Sequence, residues 1–105
     1  MQEVVVLSEA GDVLRASITC EIDHHTARAI RDLIDKRLFL VRPKILELDF
    51  SAVRFMDSSG VGLIIGRSAL CESLGAHVRV RGLSGLLMKL VRLSGVDKIK
   101  NVSIQ

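Results

Sequence analysis

The chain opens with two strand-like segments joined by a short turn and then alternates helix-like with strand-like segments to its end. Residues 3–7 and 13–19 are predicted to be the first two strands, and Gly11 with Asp12 has the turn chemistry of a hairpin. Parallel neighbours need long crossover connections, usually helices, so the later strands are expected to run parallel. This order predicts an α/β fold, a mixed sheet of about five strands with flanking helices. A length of 105 residues fits one domain covering residues 1–105.

Apolar residues at spacings of three and four predict three helices. The first follows a cap at Asp23 and ends before Pro43, because a residue that precedes proline is pushed out of helical geometry. The second covers 57–74 and the third begins at 83 and stops at 94–95. The remaining strands are predicted at 45–50, 77–81 and 101–104. The first of these is apolar enough to be central and covered on both faces, whereas the alternation in the second predicts one face in water.

Composition argues against several classes of function. The net charge is +3, but the Lys and Arg residues are spread over every segment and Phe is the only aromatic residue, so direct binding to nucleic acid is not predicted. No apolar run approaches the ~20 residues of a membrane span, and Met1-Gln2-Glu3 lacks the features of a signal peptide. A cytoplasmic protein away from the membrane is therefore expected, with Cys20 and Cys71 as reduced thiols. The His and Cys residues are not spaced as the ligands of a zinc site are, so no metal site is predicted.

The segment from Phe55 to Gly62, Phe-Met-Asp-Ser-Ser-Gly-Val-Gly, follows a predicted strand and opens a helix. Ser58 and Ser59 therefore lie at a helix N-terminus, where unpaired N–H groups and the helix dipole favour a negatively charged group. Gly60, Gly62 and Gly66 superficially match a dinucleotide-binding fingerprint, but that fingerprint belongs to the first strand–helix unit of a longer domain. A small enzyme that uses Ser58 or Ser59 as a nucleophile is an alternative, and it would need a histidine base and a carboxylate within reach.

Two aspartates occupy comparable positions, each at a strand-to-helix turn. Asp23 and Asp57 both have a simple structural role as helix N-caps, although Asp23 with Thr26 only loosely resembles a capping box. In a parallel arrangement such turns gather at one edge of the sheet, where α/β proteins keep their working residues. The pattern therefore predicts two carboxylates near Ser58.

Two segments together carry a family resemblance. Glu-Ile-Asp-His-His-Thr-Ala at 21–27 and Asp-Phe-Ser at 49–51, continued by the segment from Phe55 to Arg67, resemble the STAS domain of anti-anti-sigma factors, most of all the sporulation members. The similarity extends over nearly the whole chain, in the same order and at the same spacing. The family usually has Gly where this chain has Cys20, and a position that requires a positive φ would be strained by Cys20.

The resemblance implies a STAS fold and a regulatory protein that is not an enzyme and needs no cofactor. It implies that Ser58 is phosphorylated by an anti-sigma factor serine kinase that uses ATP. The unphosphorylated protein would bind this kinase and release the sigma factor, and a serine phosphatase would restore the binding form. A STAS scaffold of a different circuit, of the stressosome type, is the alternative. The partner-binding residues that the resemblance implies are Asp23, His24, Thr26, Asp57, Ser59, Gly60 and Gly62.

Overall fold

The computed structural model describes residues 3–105, which form five strands, three α-helices and one short 3-10 helix. Met1 and Gln2, two of the three residues on which the expectation about a signal peptide was based, lie outside the described range. The elements are β1 (Val5–Ala10), β2 (Val13–Ile18), α1 (His24–Val41), β3 (Ile45–Asp49), α2 (Ser58–Ser73), β4 (His77–Arg81), α3 (Gly85–Ser94), the 3-10 turn Val96–Lys98 and β5 (Val102–Ile104).

The strands form one mixed sheet in the order β1-β2-β3-β4-β5. β1 pairs antiparallel with β2, and every later pair is parallel, so the predicted fold class and sheet are confirmed. The predicted first strand, 3–7, begins two residues before β1 and ends three residues before it, because the ladder runs from Val5 to the pair Ala10 and Val13 and closes a two-residue turn. Each crossover moves to the next strand in the same direction, and buried residues of all three helices join the strands in one core cluster, as expected for helices on one face of the sheet.

The core lies between that face and the helices and is aliphatic. Leu14, Leu46 and Val78 lie side by side on three neighbouring strands and are fully buried, and Ile30 and Ile34 of α1 pack into the same cluster. Burial of such side chains contributes on the order of 2 kcal/mol each. None of the helices between residues 3 and 105 combines the length and the apolar character needed to span a lipid bilayer.

β3 is the central strand, as predicted, but its second face is covered by arginine side chains rather than by another element. Glu47 lies directly between Arg15 of β2 and Arg79 of β4 and is only 3% exposed. Arg15 Nε donates to Glu47 Oε2, and Arg79 Nε donates to Glu47 Oε1 at 2.9 Å. Burial by itself raises the pKa of Glu47, but the hydrogen bonds and charges of the two arginines outweigh it and lower the pKa.

The loop before α1 tolerates Cys20 without strain. Arg42, at the C-terminal cap of α1, is the one non-glycine residue of the described chain with a positive φ, 51°. Cys20 therefore does not need the backbone freedom of the glycine that the family usually has there. Its sulfur lies 3.7 Å from the carbonyl oxygen of Val4, and partial burial raises the pKa of the thiol.

Candidate functional site

The turns that precede α1 and α2 are held together by a single parallel bridge. Ile22 pairs with Met56: the N–H of Ile22 donates to the carbonyl of Phe55 at 3.1 Å, and the N–H of Asp57 donates to the carbonyl of Ile22 at 3.1 Å. Ile22 and Met56 are both buried. The two helices consequently begin beside each other at the carboxyl edge of the sheet, which is the arrangement predicted from the positions of Asp23 and Asp57.

Asp23 caps α1 through a complete capping box. Its carboxylate accepts hydrogen bonds from the N–H groups of His25 and Thr26, both at 2.9 Å, and the Thr26 hydroxyl accepts from the N–H of Asp23 at 2.9 Å. The N–H of Thr26 and then that of His25 hold the pKa of Asp23 below its usual range. The looser cap expected from the sequence was an underestimate, because a threonine hydroxyl performs the return bond that Glu or Gln usually makes.

Asp57 caps α2, and its carboxylate accepts from the N–H of Ser59 at 2.7 Å. Ser58, the first residue of α2, is exposed, whereas Ser59 is half-buried. A group attached to the Ser58 oxygen would point into solvent at the positive end of the α2 dipole. The bridge between Ile22 and Met56 therefore places the turn capped by Asp23 beside the turn that carries Asp57, Ser58 and Ser59.

The glycines of the site have different roles. Gly60 is buried, and a Cβ at this position would collide with the side chain of Met56, so glycine lets the start of α2 approach the bridge. Gly62 is exposed, and a Cβ there would meet no atom within 4 Å. Because residues four and seven apart share a helix face, Ser58, Gly62 and Ile65 form one exposed stripe of small and apolar side chains along α2.

Phe55 was not predicted as a site residue, although it stands three residues before Ser58. It is 55% exposed, and its carbonyl is fixed by the bridge to Ile22. Two of the three Phe residues of the chain, Phe55 and Phe39, are more than half exposed, and Phe55 is the one that lies close in sequence to Ser58. The signal was present in the sequence, but an aliphatic core could have accommodated the ring as well.

A groove of about 400 Å³ separates the first halves of α1 and α2. It begins at His24 and Ser59, at the same end as the exposed serine, and also borders Gly62. Three of its nine lining residues are arginines, and the apolar spacing of the first helix had placed two of them, Arg28 and Arg31, on the solvated side. The groove is lined by His24, Ala27, Arg28, Arg31, Ser59, Gly62, Leu63, Gly66 and Arg67.

Arg67 fixes the far end of this groove through a buried ion pair with Asp35. Arg67 Nε lies 2.7 Å from Asp35 Oδ1, close but out of line for a hydrogen bond, and Arg67 Nη2 donates to Asp35 Oδ2 at 3.3 Å. Burial lowers the pKa of Arg67 and raises that of Asp35, in each case against the charge of the partner. The pair joins the middle of α1 to the middle of α2.

The geometry offers little for catalysis or metal binding. The rings of His24 and His25 lie with centroids 4.1 Å apart, and the carboxylate of Asp57 is engaged by the Ser59 N–H rather than by a histidine. Across residues 3–105 no three His, Cys, Asp or Glu side chains are grouped so that they could hold a metal ion. Ser58 is thus exposed at the start of α2, and the carboxylate next to it in sequence, Asp57, accepts from the backbone N–H of Ser59.

Comparison with known proteins identifies the family. The family model described as "Mlab, STAS domain" matches residues 5–103. The chain is 32% identical over 87 residues to an anti-sigma F factor antagonist of Paenibacillus polymyxa. The aligned region covers 83% of this chain and 74% of that protein.

Solved structures agree with this result. The anti-sigma factor antagonist SpoIIAA in its unphosphorylated form superposes with a TM-score of 0.81 at 25% identity, over 96% of this chain and 87% of that one. The Bacillus cell fate determinant SpoIIAA in the phosphorylated form gives a TM-score of 0.74 at 25% identity, over 96% and 90%. The matched family model, the relative and the shared fold together place this chain in the STAS domain family, among the anti-sigma factor antagonists.

Proposed function

We propose that this protein is an anti-anti-sigma factor whose unphosphorylated form binds an anti-sigma factor serine kinase and thereby releases a sigma factor. Phosphorylation of Ser58 by that kinase, with ATP, would end the interaction, and a serine phosphatase would restore it. The observation that carries the proposal is the exposed Ser58 at the first residue of α2, directly after the capping Asp57 and on a turn that the Ile22–Met56 bridge joins to the Asp23 turn. The sporulation sigma-F circuit, in the cytoplasm, is the expected setting, since a relative is named as an anti-sigma F factor antagonist.

The residues implied by the family resemblance divide into two groups in this proposal. Asp23, His24, Asp57, Ser59 and Gly62 form the surface around Ser58 that a partner would contact. Thr26 and Gly60 act indirectly, Thr26 through the capping box and Gly60 through its close approach to Met56.

The switch follows from charge. A phosphoserine carries about −1.5 to −2 charges at neutral pH. The N–H groups and the dipole of α2 tolerate this charge locally, so the domain itself is expected to keep its fold. The phosphate instead weakens the complex with the anti-sigma kinase. In that complex a doubly charged group near two aspartates would have to fit a kinase surface that is complementary to a small hydroxyl.

The direct test is to incubate the protein with ATP and the anti-sigma kinase of the same organism and to locate the added phosphate by mass spectrometry. We expect one phosphate, on Ser58, and none on a Ser58→Ala variant. Treatment with the serine phosphatase should then restore binding to the kinase. Modification of Ser59 alone, or no modification, would contradict the assignment.

Phe55 is expected to be an anchor of the same interface. Aromatic residues dominate interface hot spots, where truncation costs about 2 kcal/mol or more, which is roughly a thirtyfold loss of affinity. Phe55→Ala should weaken binding to the anti-sigma kinase by about that factor in isothermal titration calorimetry. Phe39→Ala is the matched control, because Phe39 is 53% exposed but lies near the end of α1, away from Ser58. Equal losses for the two variants would remove Phe55 from the interface.

A further inference from the structure

Over residues 3–105, the lining of the groove between α1 and α2 carries positive charge without negative charge. Three arginines line it, and no carboxylate does so among the residues that the structure describes. Arg28, Arg31 and His24 share one face of α1, since they are spaced by three and four residues. Two of the arginines have an acidic neighbour: Arg31 bonds to Asp32 at 3.1 Å, and Arg67 pairs with Asp35.

Arg28 differs from the other two arginines of the groove. It is exposed, and within residues 3–105 no carboxylate lies within ion-pair distance of its guanidinium group. Asp32, one helical turn along α1, is already engaged by Arg31. Arg28 therefore gives the groove a cation whose charge is not matched by its own chain.

The floor of the groove leaves room for another chain. Gly62 and Gly66 lie on the α2 side, and a Cβ built on either residue would meet no atom within 4 Å. The buried Arg67, 6% exposed, holds the two helices at a fixed separation through Asp35. The space is thus preformed, since the ion pair that defines it is part of the folded chain.

We propose that this groove binds an acidic segment of the anti-sigma kinase, with carboxylates of that segment placed against Arg28 and Arg31. The inference rests on the proposed function and extends it from the Ser58 surface to the groove. Two observations favour this occupant: the positive charge of the walls, and the continuity of the groove with the Ser58 end of α2 through His24 and Ser59. A second copy of this chain would bring its own arginines to the contact and repel.

The test is a pair of charge reversals on one helix. Arg28→Glu should weaken binding of the anti-sigma kinase at least tenfold in a low-salt buffer, and the difference from wild type should shrink at high salt because screening weakens exposed charge pairs. Lys36→Glu is the control, since Lys36 is exposed on α1 but does not line the groove, and it should change affinity less than twofold.

A second variant tests the space rather than the charge. Gly66→Leu fills the groove without altering charge and should weaken binding by a similar factor, while circular dichroism verifies that each variant is folded. Equal affinities for Arg28→Glu and Lys36→Glu, or full affinity of Gly66→Leu, would overturn the inference about the groove. The proposed function would stand in that case if the kinase still phosphorylates Ser58 of these variants. Absence of both kinase binding and Ser58 phosphorylation in the wild-type protein would instead overturn the proposed function.

Discussion

Phosphorylation of Ser58 is expected to weaken binding to the anti-sigma kinase more than a hundredfold, and Ser58→Asp is expected to weaken it about tenfold. A differential of ~3 kcal/mol between the two states is enough for the larger factor. The aspartate variant carries one charge instead of nearly two, so its effect should be smaller. Ser58→Ala should bind as tightly as the unphosphorylated protein and stay bound in the presence of ATP. Surface plasmon resonance at fixed salt measures all four forms.

Ser58→Asn separates charge from size in this experiment. Asn and Asp are nearly the same shape, but only Asp adds a negative charge beside the carboxylates of Asp23 and Asp57. We expect the Asn variant to bind close to the wild-type affinity, and we expect higher salt to reduce the defect of the Asp variant. Equal defects in the Asn and Asp variants would show that bulk, not charge, breaks the complex.

Gly82→Ala is expected to destabilise the fold by about 3 kcal/mol or more. Gly82 has a φ of 79°, and a Cβ at this position would stand 2.7 Å from the backbone nitrogen of Ser51 and 2.8 Å from Asp49 Oδ1. An alanine at this position would hold a Cβ on a left-handed backbone, which costs about 1–2 kcal/mol. The steric overlap of its methyl group with Ser51 and Asp49 would cost about a further 1–3 kcal/mol. The atoms that the methyl group would contact belong to a turn held by two hydrogen bonds. Asp49 Oδ1 accepts from the N–H of Ser51 at 2.9 Å and from its hydroxyl at 2.6 Å.

Gly75→Ala is the matched control for backbone strain. Gly75 has a φ of 74°, but a Cβ there would meet no atom within 4 Å, so only the left-handed cost applies, at the lower end of about 1–2 kcal/mol. Thermal unfolding should then show a loss of roughly 5 °C for Gly75→Ala and roughly 15 °C for Gly82→Ala, from about 4–8 °C per kcal/mol at this size. Equal losses in the two variants would mean that the turn at Ser51 relaxes around the methyl group.

Much of the fold could be predicted because local patterns and topology agree along the chain. The strand at residues 77–81 alternates cleanly, and its observed bounds are His77–Arg81. The third helix was expected two residues early, since Leu83 continues the apolar spacing, but Ser84 is the cap that accepts from the N–H of Leu87. A capping hydrogen bond thus decided the boundary where the apolar pattern did not.

The features that could not be predicted depend on contacts between distant segments. Glu47 looked like a polar residue in an apolar strand, and only the pairing of β3 with both β2 and β4 places it between Arg15 and Arg79. The basic groove has the same origin, because the spacing of Arg28 and Arg31 shows a shared face but not which helix lies opposite. The relation of Asp23 to Asp57 was predictable, since parallel topology alone gathers their turns at one edge.

The bridge between Ile22 and Met56 makes one epitope from two segments that are far apart in sequence. The turn at Asp23 and the turn at Asp57 share two backbone hydrogen bonds over buried side chains, so neither can be displaced without straining the other. Under the proposed function, a phosphate added to the second turn would therefore act on a partner bound to the first, even if the domain does not change shape. Compared with a long mobile loop, such a surface loses little conformational entropy on binding. A partner that contacts both turns would be displaced from both when one of them gains negative charge.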